Sequence, residues 1–253
     1  MESKIKVKQL SDYIYAMDDA GATGYLVLGN EKALVIDTMN ASDDLGAVVR
    51  SITDLPVMVV NTHGHGDHIC GNIFFEEAYI HPDDLSLAIE FSQYPGFVDA
   101  IRAHGLSMPP FKEIHDGETI DLGGATLDII HLPGHTRGRI CLLYREERVL
   151  FTGDGINCHL WMQLDHSLPM KEFKRNLEGI SWVKEKADRI LHGHTMDYIG
   201  ISLLDELYQG VCELAEHPEV SETDPEYQWF GGIDKKHIFG DGKAICYTLE
   251  KLK

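Results

Sequence analysis

Long apolar runs, cysteine pairs and positive charge are what this 253-residue chain has least of. No stretch approaches the ~20 apolar residues that cross a bilayer, so neither a membrane span nor a membrane partner is expected. The opening residues Met1-Glu2-Ser3-Lys4-Ile5-Lys6-Val7-Lys8 lack the apolar core of a secretory signal, and a cytoplasmic protein is expected. The five cysteines (Cys70, Cys141, Cys158, Cys212 and Cys246) are odd in number and widely spaced, with no C-x-x-C. That excludes a disulfide framework as the basis of the fold. Lysine and arginine total 22 against 41 aspartates and glutamates, a formal charge of −19 with histidines neutral. Such a field repels polyanions, so nucleic acid is not an expected partner. Repeats and low-complexity tracts are also missing. With 43% hydrophobic residues, the composition is that of a globular protein able to bury a core.

The apolar residues fall into short runs. Tyr13–Met17, Gly24–Leu28 and Ala33–Asp37 read as strands, the last two joined by a turn at Asn30-Glu31-Lys32. Ser42-Asp43-Asp44 reads as a helix N-cap before Leu45, Val48, Val49 and Ile52 at helical spacing. Pro56–Val60 reads as a buried strand, Ile69 to Ala78 as a short helix, and Pro82 starts another helix to about Phe91. Residues 92–112 read as irregular, and 82–112 as an insertion beside the site. Strands follow at Thr126–His131, Arg139–Tyr144 and Arg148–Phe151, and helices at Met170–Lys186 and Ser202–His217. The last strand is Ala244–Leu249, after a turn at Phe239–Lys243. The β-rich and helical stretches recur in two halves. An α/β fold is expected: an αββα sandwich of two mixed β-sheets with helices on the outer faces, formed by residues 1–253 as one domain.

Chemistry concentrates in Asn61-Thr62-His63-Gly64-His65-Gly66-Asp67-His68, directly after a buried strand. Histidine and aspartate are ligands for borderline divalent metals, and the glycines let the backbone bend so that side chains converge. His135, Asp154 and the His192/His194 pair recur in the same local context, each after an apolar run and beside glycine. Alone, each reads as a loop residue or turn former; together they read as ligands gathered at one edge of stacked sheets.

His63-Gly64-His65-Gly66-Asp67-His68, Pro133-Gly134-His135-Thr136, Phe151-Thr152-Gly153-Asp154 and Gly193-His194, in this order, resemble the metallo-β-lactamase superfamily of metallohydrolases. The resemblance implies that His63, His65 and His135 bind a first metal, that Asp67, His68 and His194 bind a second, and that Asp154 bridges both. His192 competes with His194, which is preferred because the family pattern puts the ligand after glycine. Seven such ligands exceed one tetrahedral ion and suit two ions ~3.5–4 Å apart. The expected cofactors are therefore two divalent metal ions, zinc first, with manganese or iron as alternatives. The expected nucleophile is a hydroxide bridging the metals, with Asp67 as the catalytic carboxylate that orients it or takes its proton.

Asp154 stands where antibiotic-degrading members carry cysteine, which argues against a β-lactamase. Asp154 with Pro133–Thr136 is more similar to glyoxalase II-type thioesterases and lactonases. A hydrolase of a small ester, thioester or lactone is expected, with a small-molecule substrate and room for a homodimer. The alternatives are an iron-dependent oxidoreductase or dioxygenase of the same superfamily and a phosphodiesterase. Arg137 and Arg139 are candidates for holding a substrate anion, and Tyr198 for assisting beside the metals. Lys235-Lys236-His237 is the nearest match to a glutathione-recognising basic patch. Trp161 and its neighbours are candidates for an acyl wall.

Overall fold

The computed structural model describes residues 3–253; Met1 and Glu2, part of the opening stretch read above, lie outside the described residues. Strands β1 (Lys6–Gln9), β2 (Ile14–Asp19), β3 (Ala22–Leu28) and β4 (Ala33–Ile36) form an antiparallel meander. Helix α1 (Leu45–Ile52) then crosses to β5 (Val57–Val60), which pairs parallel with β4. Asp44 caps α1 by accepting the Ala47 N–H at 2.8 Å, a contact worth ~1 kcal/mol. Next come the one-turn helix α2 (Gly66–Ile69), β6 (Ala78–Ile80), α3 (Pro82–Ser92), α4 (Pro95–Ala103) and β7 (Phe111–Glu113). The first sheet runs in order from β1 to β7.

The second half opens with β8 (Thr119–Asp121), β9 (Thr126–His131), β10 (Ile140–Tyr144) and β11 (Val149–Gly153). The chain then leaves this sheet for β12 (His159–Trp161), runs through α5 (Met170–Gly179), and returns as β13 (Arg189–His192) and β14 (Ile199–Gly200). The second sheet has the order β14-β13-β11-β10-β9-β8, with β13 parallel to β11. After α6 (Ser202–Glu216), strands β15 (Glu226–Trp229), β16 (Gly232–Gly240) and β17 (Lys243–Tyr247) join β12 in a third sheet, ordered β12-β17-β16-β15.

Burial shows the layers. Ile14, Tyr25, Val27, Leu34 and Ile36 of the first sheet meet Leu127, Ile129, Leu142, Phe151 and Leu191 of the second, forming the core between the sheets. The alternate residues Met17, Leu26, Val35 and Val59 turn outward onto Leu45, Val48 and Val49 of α1. On the far side, Cys141, Leu143, Leu150 and Ile190 pack under Phe173 and Leu177 of α5 and Leu203, Leu207 and Leu214 of α6. This is the expected αββα sandwich of two mixed sheets with helices outside.

Two features depart from the sequence reading. Residues 95–103, read as irregular, form α4. Pro95 sits at the first helical position, where its fixed φ suits the helix and its missing N–H costs nothing. Phe97 and Ile101, one turn apart, then pack on Cys70 and Ile73. The third sheet is also additional: β12 and β15 have three and four residues, too few to show a period. Among the described residues, no helix is long and apolar enough to cross a membrane.

Candidate metal centre

Four loops leave the C-terminal ends of strands at one edge of the sandwich. His63, His65, Asp67 and His68 follow β5, His135 follows β9, Asp154 follows β11, and His194 follows β13. The parallel pairings of β4 with β5 and β11 with β13 bring these ends together. Close approach demands glycine at two points. A Cβ on Gly153, whose φ is +45°, would sit 2.2 Å from Thr62 Oγ1. A Cβ on Gly193 would sit 2.4 Å from Asp154 Oδ1. No side chain fits at either.

The seven residues gather in two groups. His65 Nδ1 lies 3.0 Å from both His63 Nε2 and His135 Nε2. Ligand atoms of Asp67, His68 and His194 lie within 4.8 Å of one another. Asp154 stands between the groups. Its Oδ2 is 3.0 Å from His194 Nε2, 3.6 Å from His68 Nε2 and 3.9 Å from His135 Nε2. His192 joins neither group; its Nδ1 accepts the His194 backbone N–H at 3.2 Å, and burial lowers its pKa to about 4.

The tautomers follow from the outward-facing ring nitrogens. His135 Nδ1 donates to the Trp161 carbonyl at 2.6 Å, and His194 Nδ1 to the Gly21 carbonyl at 2.7 Å. His68 Nδ1 donates to Asp37 Oδ2 at 2.9 Å. The Thr62 hydroxyl gives its proton to Asp37, so at 3.0 Å it accepts from His63 Nδ1. The inward Nε2 of His63 and that of His135, both neutral, therefore carry lone pairs. Lone pairs converging at 3.0 Å repel one another unless a cation lies between them. His68 Nε2 and Asp154 Oδ1 are moreover buried with no hydrogen-bond partner. Nitrogen and carboxylate donors around orphaned buried atoms, with the opposite ring nitrogens tethered, are what bound divalent metals require.

Electrostatics divides the groups. Burial, followed by mutual repulsion, holds His63 and His65 well below the usual histidine range; burial also lowers His135. Burial opposes the charge on His68, but Asp67, Asp37 and Asp154 outweigh it and raise its pKa well above the usual value. Asp154 raises His194 to about 9 against the effect of burial. Burial works against the Asp154 carboxylate, yet His194 and His68 hold its pKa well below the usual range.

Several supporting residues escaped the sequence reading. Asp37, read as the last residue of a strand, has φ +59°, uncommon for a non-glycine. Its carboxylate accepts from Thr62 N at 2.7 Å as well as from His68. Strain at a strand end beside ligands is the usual signature of a functional constraint. His166 Nε2 stands 2.6 Å from His65 Nε2. The Tyr25 hydroxyl reaches the carbonyls of His192 and Thr195. Asp84 of α3 accepts from Gly64 N at 2.9 Å, Gly138 N at 2.6 Å and Thr136 Oγ1 at 2.6 Å, joining the loops that carry His65 and His135.

Other candidates lie elsewhere. Arg139 is 0% exposed, and its terminal nitrogens reach Cys141 Sγ, so no substrate anion meets it. Arg137 is exposed. Tyr198 packs at the inter-sheet core under the Arg189 guanidinium. Lys235-Lys236-His237 is not a patch: strand alternation sends Lys236 over Tyr227, while His237 turns inward between Glu213 and Asp224.

Several known proteins are similar to this chain. An acyl-coenzyme A thioesterase named MBLAC2 from Gallus gallus is 31% identical over 160 residues, covering 52% of this chain and 56% of that protein. An atrochrysone carboxyl ACP thioesterase, dmxR1, from a Cryptosporiopsis species is 31% identical over 151 residues, covering 58% of this chain and 42% of the relative. The chain thus spans about half the length of the curated relatives it matches. In the solved metallo-beta-lactamase from Pontibacter korlensis the same fold covers 82% of this chain and 98% of that one, with a TM-score of 0.65 at 18% identity. The metallo-beta-lactamase from Erythrobacter litoralis gives 84%, 98% and 0.63, again at 18% identity. The family model described as the Metallo-beta-lactamase superfamily matches residues 18–162, a span that holds His63 through His68, His135 and Asp154. With that match over more than half its length, and with the fold of two solved members, the chain belongs to the metallo-β-lactamase superfamily.

Proposed function

We propose that this chain is a dinuclear metallohydrolase whose substrate is a thioester. His63, His65 and His135 would hold one divalent cation and Asp67, His68 and His194 a second, with the Asp154 carboxylate standing between the two groups. The observation that carries the reading is the position of Asp154 Oδ2, 3.9 Å from His135 Nε2 on one side and 3.0 Å from His194 Nε2 on the other. When bound, such cations supply Lewis acidity and lower the pKa of water toward ~7.

The chain's own residues do the rest. Asp37, Gly21 and Trp161 fix the ring tautomers from outside, so the ligand nitrogens need no reorganisation. Asp67, with a side chain 33% exposed beside His68, takes the proton of the attacking water. The water oxygen adds to the acyl carbon, the carbon–sulfur bond breaks, and Asp67 returns the proton to the departing thiolate. A carboxylic acid and a thiol are released. The thioester is favoured over the ester and lactone because two similar proteins carry thioesterase names.

Zinc-loaded protein tested by elemental analysis and by thiol release from an acyl thioester decides the matter. Two ions per chain are expected, and the D154A variant loses roughly 10²-fold or more in rate together with bound metal. Stoichiometric iron with persulfide oxidation and no thiol release overturns the reading. So does cleavage of a phosphodiester alone.

A further inference from the structure

Among the described residues, no helix covers one face of the third sheet. Strand alternation sends Leu160, Ile245, Tyr247 and Phe239 inward to the core beneath α6. The opposite face carries His159 and Trp161 of β12 and Tyr227 and Trp229 of β15, with Phe230 at the hairpin tip. Ring centroids of Trp161 lie 5.4 Å from Trp229 and 5.7 Å from Phe230, and Trp229 lies 4.8 Å from Phe230. These are the spacings of tilted and edge-to-face aromatic pairs. Trp229 Nε1 donates to Asp234 Oδ2 at 2.6 Å, which fixes its ring in place. Phe230 is nevertheless 86% exposed. An apolar cluster this open, held this rigidly, lacks a cover.

The face is continuous with the metal centre. The Trp161 carbonyl accepts from His135 Nδ1, so the backbone that tethers a ligand also carries the first ring of the cluster. Across the centre, Phe91 of α3 packs edge-on against the His65 ring at 4.9 Å.

Resting on the thioesterase reading, we infer that Trp161, Trp229 and Phe230 form the subsite for the acyl group, and that it takes a long alkyl or ring-bearing acyl chain. A rigid aromatic wall binds such a chain through area and stacking without ordering costs of its own. An acetyl group offers such a wall a single methyl, against the seven alkyl carbons of an octanoyl chain.

The test compares octanoyl and acetyl thioesters of N-acetylcysteamine on the zinc-loaded 253-residue chain. In F230S the ratio of octanoyl to acetyl kcat/KM falls about tenfold, the loss expected for one stacked, desolvated ring. Ile233, 60% exposed on the other face of the same hairpin, is the control, and I233S keeps the wild-type ratio. An unchanged ratio in F230S overturns the subsite. If the wild-type protein hydrolyses neither thioester, the thioesterase reading fails, and binding of the octyl thioether of N-acetylcysteamine, followed by tryptophan fluorescence, judges the subsite separately. Affinity about tenfold weaker in F230S upholds it, and equal affinity overturns it. If F230S dissociates a dimer while thioether affinity stays the same, the face is a subunit contact and the inference falls.

Discussion

His65 illustrates how a candidate ligand depends on a residue far away in sequence. Its Nδ1 faces His63 and His135, so its Nε2 must carry the proton and donate it to His166 across 2.6 Å. His166 can accept because burial, aided by His135, lowers its pKa to about 4 and keeps it neutral. It therefore acts as a positioning residue. The H166A variant is expected to hold metal 10–100-fold more weakly by chelator competition, the range typical of a lost outer hydrogen bond. H166Q, which keeps an acceptor, restores most of that affinity. Equal metal affinity in H166A and wild type contradicts the role. Nothing near His166 in the sequence announces it: Leu164-Asp165-His166-Ser167 reads as an ordinary polar turn. The candidate ligands themselves were legible because four of them crowd into six residues behind a buried strand.

Among the elements, α3 does more than cover the site. Asp84 in its first turn is buried and accepts three hydrogen bonds from the two ligand loops. In D84A two buried backbone N–H groups, of Gly64 and Gly138, lose their acceptor. The expected cost is about 3 kcal/mol or more, which at this chain length lowers Tm by roughly 10 °C. D84N keeps one carbonyl acceptor and falls in between. A Tm for D84A within about 2 °C of wild type in thermal unfolding would show that the loops do not lean on this helix. The helix itself was legible from Pro82-Asp83-Asp84. Its clamp was not, because the partners lie 20 and 54 residues away and only the packing of α3 against both loops creates the contact.

For the whole molecule, the histidines of the candidate metal centre set how stability responds to pH. His68 and His194 have folded pKa values raised by neighbouring carboxylates, His194 from 6.5 to about 9. In chelator-stripped protein their contribution is fully present below the unfolded value of 6.5 and is lost as pH rises through about 9. His63, His65 and His135 work in the opposite sense. Lowered by burial, they contribute above 6.5 and lose that contribution as pH falls. The stripped protein is expected to show its highest Tm near pH 6.5. Zinc removes the alkaline decline, because ligand histidines are already deprotonated. At free zinc about a thousandfold above Kd, Tm rises by roughly 10 °C. Calorimetry from about pH 5 to 9 checks both; a stripped protein that stabilises steadily above pH 6.5 contradicts the assignment.

The sequence alone determined the two-layered alternation of strands and helices and the ligand-rich loops, since both are written in neighbouring residues: periods of two and 3.6, and histidines beside glycine after apolar runs. Only the tertiary structure decided what those loops rest on. Asp37, Asp84 and His166 have unremarkable neighbours in the chain and gain their roles from partners 20 to 101 residues away. Burial of Arg139 beneath Gly155, and the turn of Lys236 and His237 to opposite faces, also follow from packing and pleat. The third sheet was hidden for the same reason. Strands of three and four residues carry too little pattern to be read singly, and pairing with β17, 85 residues further on, is what makes β12 a strand and leaves an aromatic face open beside the candidate metal centre.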